Sequence, residues 1–169
     1  MADFNRRGLT VAIAFSVFLL DRVTKVVIEH KVSLWDSHNV IPGFFDIVHA
    51  QNKGAAFGMF NEGDSSLRTL LLIAVSLAVL AFVSVLLFRP AKAGFSTSRL
   101  TTVALSLVLG GALGNLWDRA WSGMVTDFLE FYFRSYRFAA FNVADSAITV
   151  GAFLLLIDIW KNRKQPVET

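Results

Sequence analysis

The chain has 169 residues, enough for one domain, but 54% of them are apolar and only 17% are charged, against about 25% charged in an average soluble domain. That excess of apolar surface, with a mean hydropathy of +0.55, excludes a disordered chain; the absence of Cys excludes disulfide frameworks, thiolate nucleophiles and thiolate metal sites. The net charge of +3 does not indicate a nucleic-acid partner, because the bases flank apolar runs instead of lining one polar face.

Four stretches approach or reach the about 20 residues that a helix needs to cross a bilayer. The first, residues 8–28, carries Asp21, Arg22 and Lys25 toward its far end. The second, residues 69–88, holds no charge at all. The third, residues 100–117, is rich in Gly and runs into Asp118 and Arg119; the fourth, residues 138–160, contains Asp145 in its first half and Asp158 near its end. Lipid offers no partner for backbone N–H and C=O groups, so such spans must be helical.

Lys and Arg set the expected orientation. Arg6 and Arg7 precede the first span, Arg89, Lys92 and Arg99 fill the connection between the second and third, and Lys161, Arg163 and Lys164 follow the fourth. Both termini and that connection are therefore expected on the cytoplasmic side, and the connections 29–68 and 118–137 outside. Asp21-Arg22 stands where a small-residue cleavage site would follow a signal peptide, so the first span reads as a retained anchor. With no repeat, low-complexity tract or linker, residues 1–169 form one integral-membrane domain. The polar tail after Lys161 should be mobile.

The first outer segment is too long for a bare loop. Pro42-Gly43 marks a turn, Phe44–His49 reads as a strand, Asn52-Lys53-Gly54 is a second turn signal, and residues 55–60 are the expected returning strand. The predicted fold is thus all-α with four transmembrane helices and a small extracytoplasmic β element lying on the membrane surface. The second outer segment, residues 125–133, is apolar enough to dip into the interface.

An ionisable group inside a span costs about 2.5–3.5 kcal/mol on insertion scales and needs a reason. Asp145 lies seven residues past Phe138, about 10 Å along a helix, with Asn142 on its face and small Ala144 and Ala147 beside it; it is either a packing Asp or a functional one. Asp127 stands among aromatics outside the third span, and the chain returns to the membrane between the two, so both carboxylates can meet at the outer face. Such a pair shares a proton, and one member can activate water while the other protonates an oxygen or amine. Asp21 and Lys25 are four apart and can pair with each other as an anchor or serve a function. Gly110 and Gly114 form a small-xxx-small packing face, from whose end Asn115 and Arg119 project; Asp118, beside Arg119, is expected as an ion-pair partner rather than a catalyst, and Asp158 as an exposed or interfacial residue.

His30, His38 and His49 lack metal-ligand spacing, and there is no HExxH, Gly-x-Ser-x-Gly or Ser-x-x-Lys. The carboxylate pair is the proteolytic machinery that remains. A small transporter or proton channel is the rival class, but would place acids at several depths, whereas these concentrate at the outer end. An assembly subunit would account for the Gly-rich face and leave Asp127 and Asp145 unexplained.

Five motifs in order then resemble the lipoprotein signal peptidases (signal peptidase II), bacterial aspartyl proteases of the membrane. Asp21-Arg22-Val23-Thr24-Lys25 is similar to that family's Asp-x-x-[Ser/Thr]-Lys, and Asn52-Lys53-Gly54-Ala55-Ala56-Phe57 to its Asn-x-Gly-Ala-Ala-Phe. Residues 110–119, Gly-Gly-Ala-Leu-Gly-Asn-Leu-Trp-Asp-Arg, resemble its Gly-Gly-Ala-x-Gly-Asn-x-x-Asp-Arg box. Val125-Thr126-Asp127-Phe128 and Phe141-Asn142-Val143-Ala144-Asp145-Ser146 resemble its two Asp motifs, with Thr126 where a second Val is common. The resemblance implies a catalytic dyad of Asp127 and Asp145, substrate-holding positions at Asn52, Gly54, Asn115, Arg119 and Asn142, and support from Asp21, Lys25 and Ala144. It implies a diacylglyceryl-modified prolipoprotein substrate, cut just before the lipidated Cys and cradled by the outer sheet, part of whose segment closes as a lid. It further implies no metal or organic cofactor, membrane lipid as surroundings, globomycin-like cyclic peptides as inhibitors, a monomer, and a place in the bacterial cytoplasmic (inner) membrane with the site near its outer face.

Overall fold

In the computed structural model, which describes residues 2–54, 65–89 and 98–162, the apolar runs are helices: α1 (Ala2–Lys31), α2 (Ser65–Phe88), α3 (Arg99–Ser122) and α4 (Val143–Asn162). Between them lie four strands, β1 (Ser37–Ile41), β2 (Phe45–Asn52), β3 (Val125–Phe133) and β4 (Tyr136–Arg137). Among the described residues, Leu67–Phe88, Arg99–Ser122 and Val143–Asn162 are long and apolar enough to cross a membrane. α1 does not join them, because its apolar run closes on Asp21, Arg22 and Lys25. It is nevertheless 30 residues long, and Asp21 and Lys25 are fully buried. The large side chains left outside, among them Leu70, Phe82, Phe153 and Leu156, form an apolar exterior far larger than a water-soluble protein tolerates.

α3 is the central helix, packed on α4, α1 and α2. Its glycines let neighbouring backbones approach. A Cβ on Gly110 would stand 2.6 Å from the carbonyl oxygen of Ala14 in α1, and one on Gly111 would stand 2.4 Å from that of Ala144 in α4. The expected small-residue face thus serves two partners, because successive helical positions point about 100° apart. α3 runs past residue 117 to Ser122 and stops where Gly123 takes a left-handed conformation (φ 74°) and donates its N–H to the Arg119 carbonyl.

At the other end of α3, Ser98 caps the helix and donates from Oγ to Asp158 Oδ2 at 2.9 Å, with Thr101 Oγ1 donating to the same oxygen. Asp158 is therefore buried (9% exposed) and not exposed as its position near the end of the fourth span allowed. The hydroxyls of Ser98, the α3 cap, and of Thr101 in the first turn supply what water would otherwise give its carboxylate.

The sheet differs from its prediction in pairing. β2 turns back through Pro42-Gly43, with Gly43 at φ 80°, onto β1, and its other edge pairs with β3, giving the antiparallel order β1-β2-β3-β4. The expected returning strand, residues 55–60, lies outside the described residues. Residues 125–133, the apolar second outer segment, form β3. Their aromatic and β-branched side chains suit a half-buried pleated surface, and Phe131 packs on Phe44, Phe45 and Phe141 with ring centroids 5.2, 4.8 and 5.9 Å apart.

α4 starts at Val143, five residues later than the apolar run from Phe138 indicated. Phe141 bridges to Leu129 of β3, accepting N–H bonds from Phe128 and Leu129 and donating its own to the Leu129 carbonyl. That pairing holds the chain extended up to the helix cap.

Candidate active site

The start of α4 is a reciprocal cap. Asn142 Oδ1 accepts the Asp145 N–H at 2.9 Å, and Asp145 Oδ2 accepts the Asn142 N–H at 3.3 Å, an arrangement that satisfies two helix-end donors at once. Asn142 thus precedes the helix as its cap instead of lying on it one turn before Asp145. The Ala144 N–H donates to Asp21 Oδ1 at 3.0 Å, so the first turn of α4 is tied to α1.

Asp127 comes from β3, opposite Ala50 of β2. Its side chain is nearly inaccessible (3% exposed). Asn142 Nδ2 donates to Asp127 Oδ1 at 2.7 Å and Asn52 Nδ2 donates to Asp127 Oδ2 at 3.0 Å. Asn52 reaches diagonally across the β2–β3 pair, and its Oδ1 accepts the Gly54 N–H at 2.7 Å. Gly54 completes that turn at φ 84°, a conformation that a side chain would strain. One residue, Asn142, therefore holds both carboxylates, Asp127 through its amide nitrogen and Asp145 through its cap.

A third Asn links this pair to a buried ion cluster. Asn115 Nδ2 donates to Asp145 Oδ1 at 2.7 Å, while Asn115 Oδ1 accepts from Lys25 Nζ at 3.2 Å. Because an ammonium can only donate, Lys25 fixes which end of the Asn115 amide faces Asp145. Lys25 also lies 2.8 Å from Asp21 Oδ2 and 2.6 Å from Asp118 Oδ2, and Arg22 pairs with Asp118. Gly114 makes the room: a Cβ there would stand 2.5 Å from Asp21 Oδ2. Arg119 donates from Nη1 to the Asn115 carbonyl at 3.3 Å, interacts electrostatically with Asp145, Asp127 and Asp118, and keeps a buried Nε with no partner among the described residues.

Burial, and secondarily the neighbouring Asp145 charge, push the Asp127 carboxyl up to about 6, against the opposing donation from Asn52 and Asn142. It takes up a proton far more readily than an ordinary carboxylate. Among the described residues, no group of three or more His, Asp or Glu side chains is arranged to hold a metal ion.

A family model described as Signal peptidase (SPase) II matches residues 13–161. The chain belongs to the signal peptidase II family. It is 47% identical over 159 residues to the lipoprotein signal peptidase of Solibacter usitatus, covering 94% of both chains. To that of Maridesulfovibrio salexigens it is 42% identical, covering 94% of this chain and 99% of the other. Two solved structures described as bacterial membrane enzymes superpose with TM-scores of 0.80 and 0.79 at 31% and 33% identity, over 96% and 92% of this chain and 93% and 94% of theirs. Signal peptidase II members are peptidases that process lipoproteins, and this chain is a membrane protein of that kind.

All ten residues singled out from the sequence, namely Asp127, Asp145, Asn52, Gly54, Asn115, Arg119, Asn142, Asp21, Lys25 and Ala144, lie in one connected network. Ala55, Ala56 and Phe57 of the second motif lie outside the described residues. Asp118 is an ion-pair partner, as expected, and its cations are Arg22 and Lys25. Sequence reasoning also missed Glu29, which accepts from Thr126 Oγ1 at 2.7 Å. The signal was its spacing, four residues after Lys25 on α1.

Proposed function

We propose that the chain is an aspartyl endopeptidase that removes the signal peptide from diacylglyceryl-modified prolipoproteins, hydrolysing the bond before the lipidated Cys. The observation that carries this is the joint hold of Asn142 on two carboxylates from different elements, one of them pushed up to about 6. Asp127 holds the shared proton, and Asp145 acts as base toward a water that attacks the scissile carbonyl. Asp127 delivers its proton to the carbonyl oxygen as the tetrahedral diol forms. Asp145, now protonated, gives its proton to the departing amine as the C–N bond breaks, and Asp127 recovers the proton from the diol as the carbonyl re-forms. Asn52 and Asn142 hold Asp127, and Asn115 holds Asp145. Arg119, the cation beside both, binds a peptide carbonyl or orients the site. Asp21, Lys25 and Ala144 secure the floor.

Four helices span the bacterial inner membrane, with both termini in the cytoplasm and the sheet on the outer surface. This follows from the basic flanks and lets the acyl chains remain in lipid while the scissile bond reaches the dyad. The chain acts as a monomer, and globomycin-like cyclic peptides compete for the same site.

The test is a gel-shift cleavage assay on purified protein in lipid, with a prolipoprotein offered with and without its diacylglyceryl group. Cleavage of the lipidated form alone is expected. Equal cleavage of both forms would remove the lipid from the specificity, and transport by sealed vesicles without any cleavage would favour a transporter.

A further inference from the structure

Behind the sheet, on the face of β3 opposite Asp127, a cavity of about 370 Å³ opens between α1, α3 and β2. That volume lies in the range of small-molecule sites. Arg22, Glu29, His49, Trp117, Trp121 and Thr126 line it. His49 is 6% exposed, and its Nδ1 lies 2.8 Å from the Val32 carbonyl oxygen. A carbonyl only accepts, so Nδ1 carries a proton, and in the neutral ring Nε2 is an acceptor. That Nε2 is buried with no partner among the described residues, a costly arrangement unless a ligand or an ordered water supplies a donor. Thr126 holds one oxygen of Glu29 in the same cavity. The Trp117 and Trp121 indoles are parallel within 8° at 6.3 Å, and their faces attract cations.

The cavity therefore offers an acceptor, a carboxylate and two aromatic faces to an ammonium group. It offers Arg22, whose guanidinium keeps N–H donors beyond the one given to Asp118, to a phosphate. Trp117 also belongs to a second, almost wholly apolar hollow of about 340 Å³, formed with Phe18, Leu113, Leu116 and Ala120, so polar and apolar spaces adjoin along the α1–α3 face.

We infer that this pair of cavities holds one phosphatidylethanolamine-type lipid: ammonium to Glu29 and His49 Nε2, phosphate to Arg22, and an acyl chain beside Phe18 and Leu113. The inference rests on the membrane placement of the helices and not on the Asp127–Asp145 chemistry. The lipid is a resident that closes the back of the sheet.

The test is native mass spectrometry of the full chain in detergent, titrated with phosphatidylethanolamine, phosphatidylcholine and phosphatidylglycerol of the same acyl chains. Phosphatidylethanolamine should bind about tenfold more tightly than the other two, since a trimethylammonium has no N–H and a glycerol headgroup no charge for Glu29. Glu29→Gln and His49→Ala should each reduce that preference severalfold while helical content and Tm stay near the parent's. Phosphoethanolamine without acyl chains, at equal concentration, should displace no bound lipid. Equal binding of the three lipids, an intact preference in Glu29→Gln, or displacement by phosphoethanolamine would each overturn the assignment. Should His49→Ala fail to fold, the near-isosteric Glu29→Gln decides.

Discussion

Two groups of carboxylates share the floor of this molecule, and they are held in opposite ways. Asp21 and Asp118 flank Lys25, at 2.8 and 2.6 Å from its ammonium, with Arg22 on the far side of Asp118. Asp127 and Asp145 are held by Asn52, Asn115 and Asn142. Cations cancel charge, whereas amides orient a carboxylate without neutralising it. The first group is thus an ion cluster, whereas in the second Asp127 is pushed up to about 6. Lys25 joins the two, because the ammonium that neutralises Asp21 also turns the Asn115 amide toward Asp145.

The largest effect should come from replacing the two amide-held carboxylates. Asp127→Asn and Asp145→Asn should each lower turnover by about 10⁴-fold, since an amide neither gives nor takes a proton at neutral pH, while circular dichroism shows a helical protein. Cleavage near the parental rate in either variant would move the chemistry elsewhere. Next comes the ion cluster. Lys25→Met leaves two buried carboxylates without their shared cation and should destabilise by about 3–5 kcal/mol, read as a large loss of Tm in detergent. Adding Asp21→Asn should recover part of it, and no recovery would mean that Asp21 and Lys25 do not act as a pair.

Asn142→Ala removes one donor to Asp127 and half of the α4 cap. A hydrogen bond to a charged group is worth about 1.5–3 kcal/mol, so the rate should fall by ten- to a hundredfold yet stay above that of the double Asp variant in the same assay. The smallest effect is on pH. Asp127 binds its proton more tightly folded than unfolded, so burial of its charge costs stability above about pH 6, and the cost is relieved as pH falls toward 3.8. Parent Tm should therefore rise relative to Asp127→Asn between pH 7 and pH 5. Matching pH profiles for the two proteins would show that Asp127 does not titrate there. In the free enzyme kcat/KM should decline above about pH 6 as Asp127 loses its proton.

Much of this was legible in the residues. The uncharged run ahead of Phe88 and the Gly-rich run ahead of Trp117 could only be packed or membrane-facing helices, and Asp145 near an apolar run demanded a reason. The strand at Phe44–His49 was visible in its side chains, but not its partners. Pairing with Ser37–Ile41 and with Val125–Phe133 depends on segments brought together by the helices. Asp158 misled because position along a span says nothing of which hydroxyls stand opposite, and Ser98 and Thr101 lie about 60 residues away in sequence. The start of α4 was misplaced for the same reason, since the bridge from Phe141 to Leu129 overrides the apolar run that favoured an earlier helix.

By itself the sequence determined the solvent this chain lives in, the helices that result, and the residues able to carry acid–base chemistry, because hydropathy, helix length and side-chain inventory are local properties. Tertiary structure alone decided which carboxylate faces a cation and which faces an amide. That choice separates a salt bridge from an amide-held carboxylate, and it depends on distances of about 3 Å between residues from different helices and strands, at which a hydrogen bond either forms or does not.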